Sequence, residues 1–307
     1  MNSLPPRTVA DFVEWTEDRF VEAGLYFGHG TDNALDEAAW LVGAALGCEP
    51  QELDDRLGDE PTPAQRERIH ALVAERIRSR KPLAYLLNAV WFAGLKFYVD
   101  ERTIVPRSLI GEFILERFEP WVDPGMVRRA LDLCTGSGCI AVALAHSFPA
   151  ARVDATDISA EALAVARLNV ERHGLRERVR VIQSDLFDEL AGERYDLIAT
   201  NPPYVATPEL ETLPAEYRHE PALALAAGAS GLDVITRILA RAPEHLNPGG
   251  ILVAEVGNSS ETLQQAFPEV PFTWLTTTSG DESVFLLTAE QLAGHREAFA
   301  ARGRPDL

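Results

Sequence analysis

The chain has 307 residues and a formal net charge of −19, from 28 Lys and Arg against 47 Asp and Glu. With 46% hydrophobic and 24% charged residues it has the balance of a globular protein with room for a large domain and a small one. No apolar run reaches membrane-span length and Met1–Pro6 lacks a basic-then-apolar signal pattern. The three cysteines (Cys48, Cys134, Cys139) form no paired framework, so a cytoplasmic setting is expected.

The acidic balance argues against direct DNA binding, which draws much of its affinity from a basic face. It suits a basic protein partner or a solvated surface. The basic spots are local: Arg76, Arg78, Arg80 and Lys81.

Residues 7–81 carry helical periodicity. Val9, Phe12, Val13, Phe20 and Val21 share roughly one face, and Asp32 or Asn33 is placed to cap a helix over Asp36–Leu46. Thr62-Pro63 opens another helix, with Ile69, Leu72, Val73 and Ile77 on one side, and Pro82 closes it. Residues 90–105 change period and suggest a short hairpin. From Arg129 strand and helix alternate: strands at 129–134, 151–156, 178–183, 195–200 and 250–256, with helices at 138–147, 159–173 and 231–246. Two runs around Ser279-Gly280-Asp281 close the chain as an antiparallel hairpin. This pattern implies an α/β class with a doubly wound, mainly parallel sheet. The expected division is a helical domain at 1–88, a hairpin linker at 89–108 and an α/β domain at 109–307.

The first strand of that sheet runs into Thr135-Gly136-Ser137-Gly138, and glycines there let backbone turn tightly and approach a ligand. The second strand ends at Asp157, 19 residues after Gly138, where a carboxylate can accept both ribose hydroxyls. Asp157 is also placed to cap the helix starting near Ser159. Gly136 to Ala141 fits G-x-G-x-x-A, so a nicotinamide or flavin dinucleotide competes with S-adenosylmethionine. Three features favour the methyl donor. Asp132 is placed to orient the loop or meet an ammonium group. Asp185, after the third strand, is placed to reach an adenine amino group or to serve as a plain loop acid. The fourth strand stops at Asn201-Pro202-Pro203-Tyr204, for which a dehydrogenase has no evident use. Cys134 and Cys139 are expected to pack rather than react.

Two prolines cannot continue a strand, so the chain turns stiffly at the sheet edge where open α/β proteins bind ligands. The Asn201 amide, a freed carbonyl at Pro202 and the Tyr204 ring suit a planar NH2 group. Phe92, Pro106 and Arg107 are expected in the pocket wall or in packing between domains, and His219 and Glu220 on a lid or a surface loop. No metal-ligand spacing is present.

These residues resemble a known family, the class I Rossmann-like methyltransferases that modify glutamine side-chain nitrogen. The resemblance is carried by Asp132 to Ala141, Asp157, Asn201-Pro202-Pro203-Tyr204, Val105-Pro106-Arg107-Ser108 and Tyr217-Arg218-His219-Glu220-Pro221. It covers nearly the whole chain. It implies S-adenosylmethionine held by Asp132, Thr135, Gly136, Gly138, Asp157, Asp185 and Asn201, with Asn201, Pro202 and Tyr204 at the reacting nitrogen. Within the family, Ser108-Leu109-Ile110-Gly111-Glu112 and Tyr26 to Asn33 look like the branch that acts on large-subunit ribosomal protein three. Release factors are the substrates of the sister branch. Similar Asn-Pro-Pro-Tyr turns occur in enzymes that methylate exocyclic amines of nucleic-acid bases. A binding module without turnover is the reading from outside enzymology.

Overall fold

The structure, a computed structural model, describes residues 5–302. Residues 1–4, on which the signal-peptide expectation partly rests, lie outside the described residues. The chain divides into two compact units. One comprises 1–90 together with 214–219, and the other comprises 91–213 together with 220–307.

The first unit is helical, with α1 Val9–Glu22, α2 Ala34–Leu46, α3 Pro63–Ser79 and the short α4 Leu83–Leu87. Asn33 rather than Asp32 caps α2, accepting from the Asp36 amide. Thr62 and Gln65 form a reciprocal capping box at α3, and Arg80 ends that helix in a left-handed conformation before Pro82. Phe12, Phe20, Leu41, Val42, Ile69 and Val73 pack together as the unit's core.

The basic spots read from sequence are not a basic face. Arg76 is wholly buried, its Nε 2.7 Å from Glu37 Oε1, and its Nη2 donates to the Tyr26 carbonyl at 3.1 Å. Arg80 Nη2 lies 2.8 Å from Glu216 Oε1, which also accepts from the Tyr26 amide at 3.1 Å. Arg78 is paired with Glu75. Tyr217 continues the cluster, its ring centroid 5.7 Å from that of Tyr26 and 4.6 Å from that of His29.

The second unit opens with a hairpin, β1 Val90–Phe92 and β2 Leu95–Phe97, then α5 Ile110–Leu115. The main sheet contains β3 Arg129–Leu133, β4 Arg152–Asp157, β5 Val179–Gln183, β6 Tyr195–Thr200, β7 Leu246–Glu255, β8 Thr273–Leu275 and β9 Val284–Thr288. Helices α6 Cys139–Ser147, α7 Ala160–Arg172, α8 Thr207–Leu210, α9 Asp233–His245, α10 Ser260–Ala266, α11 Ala289–Gly294 and α12 Arg296–Arg302 complete it. Strand order is β5-β4-β3-β6-β7-β9-β8, parallel through β7, with β9 antiparallel to both of its neighbours.

Strands flanked by helices on both faces bury both sets of side chains, which is why β3, β6 and β7 read as apolar runs. Leu131, Leu133, Ile198, Leu252 and Ala254 pack with Ile235, Leu239 and Ala242 of α9 on one face. The alternate residues Ala130, Leu197 and Val253 are equally buried on the other. The order reverses between β3 and β6, so the crevice at their C-terminal ends is the topological switch point.

Candidate active site

β3 ends at Leu133, and Cys134 turns the chain at φ 58, a conformation that costs a non-glycine residue energy and clusters at functional sites. The two loop glycines do different jobs. A Cβ on Gly138, at φ 81, would stand 3.1 Å from Ala166 Cβ and 3.2 Å from its Cα, so this glycine lets the loop press against α7. A Cβ on Gly136 would meet nothing within 4 Å, which leaves one side of the loop open to an approaching ligand.

Asp132 is fully buried and organises the loop. Its Oδ2 accepts from Thr135 Oγ1 at 2.5 Å and from the Ala141 amide at 2.9 Å. Its Oδ1 is buried with no hydrogen-bond partner among the described residues. Burial pushes its carboxyl up to about 7, against the pull of Thr135 and Ala141. Asp157 accepts from the Gly136 amide through Oδ2 and from the Ser159 amide through Oδ1, both at 2.9 Å. Ser159, not Asp157, caps α7, so the helix-capping alternative for Asp157 is set aside. Burial raises the Asp157 carboxyl, and the Ser159 and Gly136 amides pull it back.

Asp185 stands past β5, and its Oδ2 accepts from Arg237 Nη2 of α9 at 2.8 Å. The three carboxylates converge: the Cys134 thiol is pushed well above its ordinary range first by burial, then by Asp157, Asp132 and Asp185. Burial likewise pushes Cys139 up to about 12, which leaves it a packing residue. Asn169 of α7 was not singled out from the sequence. It is wholly buried, and its Nδ2 donates to Ser137 O at 2.8 Å and to Tyr98 O at 2.9 Å, fixing the loop from behind.

This donor set fits S-adenosylmethionine. Carboxylates on consecutive strand ends have the chemistry to accept from hydroxyls and amines, Asp132 Oδ1 is a buried acceptor without a partner among the described residues, and the loop is open at Gly136.

On β6, Thr200 Oγ1 donates to Leu133 O at 2.8 Å, tying the strand that carries the motif to the strand that carries the loop. Asn201 Oδ1 is buried and has no partner among the described residues. The Tyr204 ring packs beside Gly257, two residues past the end of β7: a Cβ there would fall 2.4 Å from Tyr204 Cε2. Its carbonyl accepts from Ser259 Oγ at 3.0 Å. The chain then pairs Val205 with Ala226 in a short parallel bridge.

Sequence reasoning left open what holds Val105 to Leu109. Glu220, left between a lid and a surface loop, is buried: it accepts from the Val105 amide at 2.9 Å and from Arg107 Nη1 and Nη2 at 2.5 and 2.8 Å. Glu255, at the end of β7, accepts from Ser108 Oγ at 2.6 Å and the Leu109 amide at 2.9 Å, both through Oε2. The signal available was a lone acid closing a long apolar strand. Phe92 packs inside the second unit, 3.1 Å from where a Cβ on Gly111 would lie.

Comparisons with known proteins bear on the family of the chain. The family described as Methyltransferase small domain matches residues 112–216, and the PrmC N-terminal domain matches residues 12–87. The chain is 49% identical over 94% of its length to the ribosomal protein uL3 glutamine methyltransferase of Neisseria meningitidis serogroup B, covering 95% of that protein. With the protein of the same name from Neisseria gonorrhoeae it shares 48% identity over 94% of its length and 96% of the relative's. Among solved structures, the catalytic domain of hMettl16 in complex with a MAT2A 3'UTR hairpin superposes with a TM-score of 0.51. That match has 18% identity, covers 71% of this chain and 81% of that one, and bears on the fold alone. Identity of this extent along nearly the full length, on a site built for a methyl donor, places the chain in the ribosomal protein uL3 glutamine methyltransferase family.

Proposed function

We propose that this enzyme methylates the side-chain nitrogen of a glutamine in ribosomal protein uL3, with S-adenosylmethionine as donor. The observation that carries the chemical reading is Asn201 Oδ1, a buried acceptor without a partner at the switch-point edge. When bound, the cofactor supplies an electrophilic methyl group on a sulfonium. Thr135, Gly136 and Gly138 shape its cradle, Asp132 meets its ammonium, Asp157 takes its ribose hydroxyls and Asp185 reaches toward its adenine.

An amide nitrogen is a weak nucleophile because its lone pair is delocalised into the carbonyl. Asn201 Oδ1 and the Pro202 carbonyl each accept one N–H of the glutamine amide. They aim its nitrogen at the methyl group and stabilise the positive charge that grows there. Such placement supplies roughly 7–11 kcal/mol of a barrier in favourable cases. Transfer would form the nitrogen–carbon bond as the carbon–sulfur bond breaks, releasing the sulfur as an uncharged thioether, and the N–H acidified by alkylation would pass its proton to water. Tyr204 packs on the amide plane or beside the sulfonium, where a ring near a cation contributes about 0.5–2 kcal/mol.

The helical first unit recruits the substrate polypeptide, and the net charge of −19 suits a basic ribosomal protein. No helix among the described residues is long and apolar enough to cross a membrane. The test is Asn201→Ala assayed on undermethylated uL3. It should bind S-adenosylmethionine as wild type does and lose methyl transfer, and normal turnover would refute the role. Mass spectrometry of uL3 and of release factors from a deletion strain identifies the substrate as the one that loses a methyl group.

A further inference from the structure

The residues after β6 and after β7 share the work of shaping the site. Thr200 pairs with Ala254 in parallel register, on strands about 4.8 Å apart, and Asn201 and Glu255 are the residues that follow them. Two residues past Glu255, Gly257 seats the Tyr204 ring, and Ser259 holds the Tyr204 carbonyl. Glu255 itself reaches to the Val105–Leu109 segment and gathers Ser108 Oγ–H and the Leu109 N–H on one oxygen. Glu220, on the chain that leaves the motif, grips the other end of the same segment through Val105 and Arg107. The segment is therefore fastened at both ends by acids that belong to the motif's own surroundings.

We propose that Glu255 is a positioning residue for glutamine methylation. Through Ser108 and Leu109 it fixes the wall that holds the substrate amide against Asn201, and it does so as a hydrogen-bond acceptor, not as a base. This rests on the reading of Asn201 given above. Both donors converge on Oε2, so a carboxamide oxygen can replace it. The site is dry: Glu255 is 4% exposed, and burial pushes its carboxyl up to about 7 while Ser108, Leu109 and Arg107 pull it down and Asp281 pushes it further.

The experiment compares Glu255→Ala, Glu255→Gln, Ser108→Ala and Asn201→Ala in the full chain. Each is scored for steady-state kinetics on undermethylated uL3, for S-adenosylmethionine affinity by calorimetry and for melting temperature. Glu255→Ala should lower kcat on the order of 10–100-fold, the worth of two hydrogen bonds of ordinary strength, at unchanged cofactor affinity. Glu255→Gln should recover kcat to within about threefold of wild type, since both bonds can be remade. Adding Ser108→Ala to Glu255→Ala should cost nothing more.

Full turnover by Glu255→Ala overturns the proposal. So does a Glu255→Gln enzyme as slow as Glu255→Ala, which would assign the role to charge. So does a fall in cofactor affinity and melting temperature parallel to activity, the mark of a structural residue. If Glu255→Ala does not fold, Ser108→Ala decides: a reduced kcat with full cofactor affinity supports the proposal, and an unchanged kcat overturns it. If Asn201→Ala also turns over normally, the amide clamp itself has failed; if Asn201→Ala is dead and Glu255→Ala is active, only the wall assignment has.

Discussion

Two acceptor oxygens at the sheet edge, Asp132 Oδ1 and Asn201 Oδ1, are buried without partners among the described residues. A buried polar atom left unsatisfied costs roughly 1–3 kcal/mol, so each marks a place where an incoming donor recovers that cost. For Asp132 the donor we propose is the cofactor's ammonium, and the protonation state then enters. Burial raises this carboxyl to about 7, whereas an ammonium pairs with the ionised form. Binding below neutral pH must therefore expel a proton from Asp132. Affinity for S-adenosylmethionine should rise on the order of tenfold between pH 6 and pH 8, and Asp132→Asn should lack this dependence. Calorimetry in buffers of differing protonation enthalpy checks both the slope and the released proton, and a pH-independent wild-type affinity would refute the pairing. The sign for the ligand-free protein is opposite. A carboxyl raised in the folded state keeps its proton longer there than in the unfolded chain, so its contribution to stability declines as pH climbs from about 4 to about 7. Asp132, Asp157 and Asn201 were legible because glycine, proline and strand ends locate them. The oxygen that Asp132 and Asn201 each leave unpaired was not, since pairing depends on neighbours brought in by folding.

At the level of elements, the strands of the parallel sheet stand out as apolar runs, because helices cover both faces and no polar side is left. Helix α3 announces itself through Thr62, Pro63 and Gln65, three local signals that agree. The segment that closes β7 did not, because Glu255 and Gly257 act on residues roughly 147 and 53 positions away, distances over which sequence carries no period. Gly257 makes the point testable. At φ 47, with Tyr204 Cε2 2.4 Å from the place of a Cβ, Gly257→Ala forces the ring to move. The expected result is a kcat lowered on the order of 10–100-fold by a misplaced aromatic. Stability should fall by about 1–3 kcal/mol, the usual range for overpacking, with cofactor affinity retained. Steady-state kinetics and denaturant midpoints measure these separately. Normal kcat in a destabilised variant would show that the ring's position is incidental to turnover.

For the molecule as a whole, charge counting was a sound guide to the balance and a poor guide to its distribution. Arg76 and Arg80, which looked like surface basic spots, spend their charge on Glu37 and Glu216 within the helical unit. Burial raises the Glu37 carboxyl, and Arg76 pulls it back. The run from Pro214 to His219 lies far along the chain from that unit yet packs as part of it, and nothing in its local pattern predicts this. One consequence concerns fragments. A cut after residue 90 yields a piece that keeps Arg76 and Glu37 but loses Glu216, which contacts Arg80 and the Tyr26 amide. Stranding buried ionic partners costs roughly 3–5 kcal/mol, a large share of what a domain of this size can muster. The isolated 1–90 fragment should accordingly show a poorly dispersed, unfolded-like spectrum by nuclear magnetic resonance, and a peptide spanning 210–222 should restore dispersion in trans. The two units thus interleave in sequence like a split reporter: no single scissile point separates them, and a shuffled gene that swaps one without the other arrives missing a tooth.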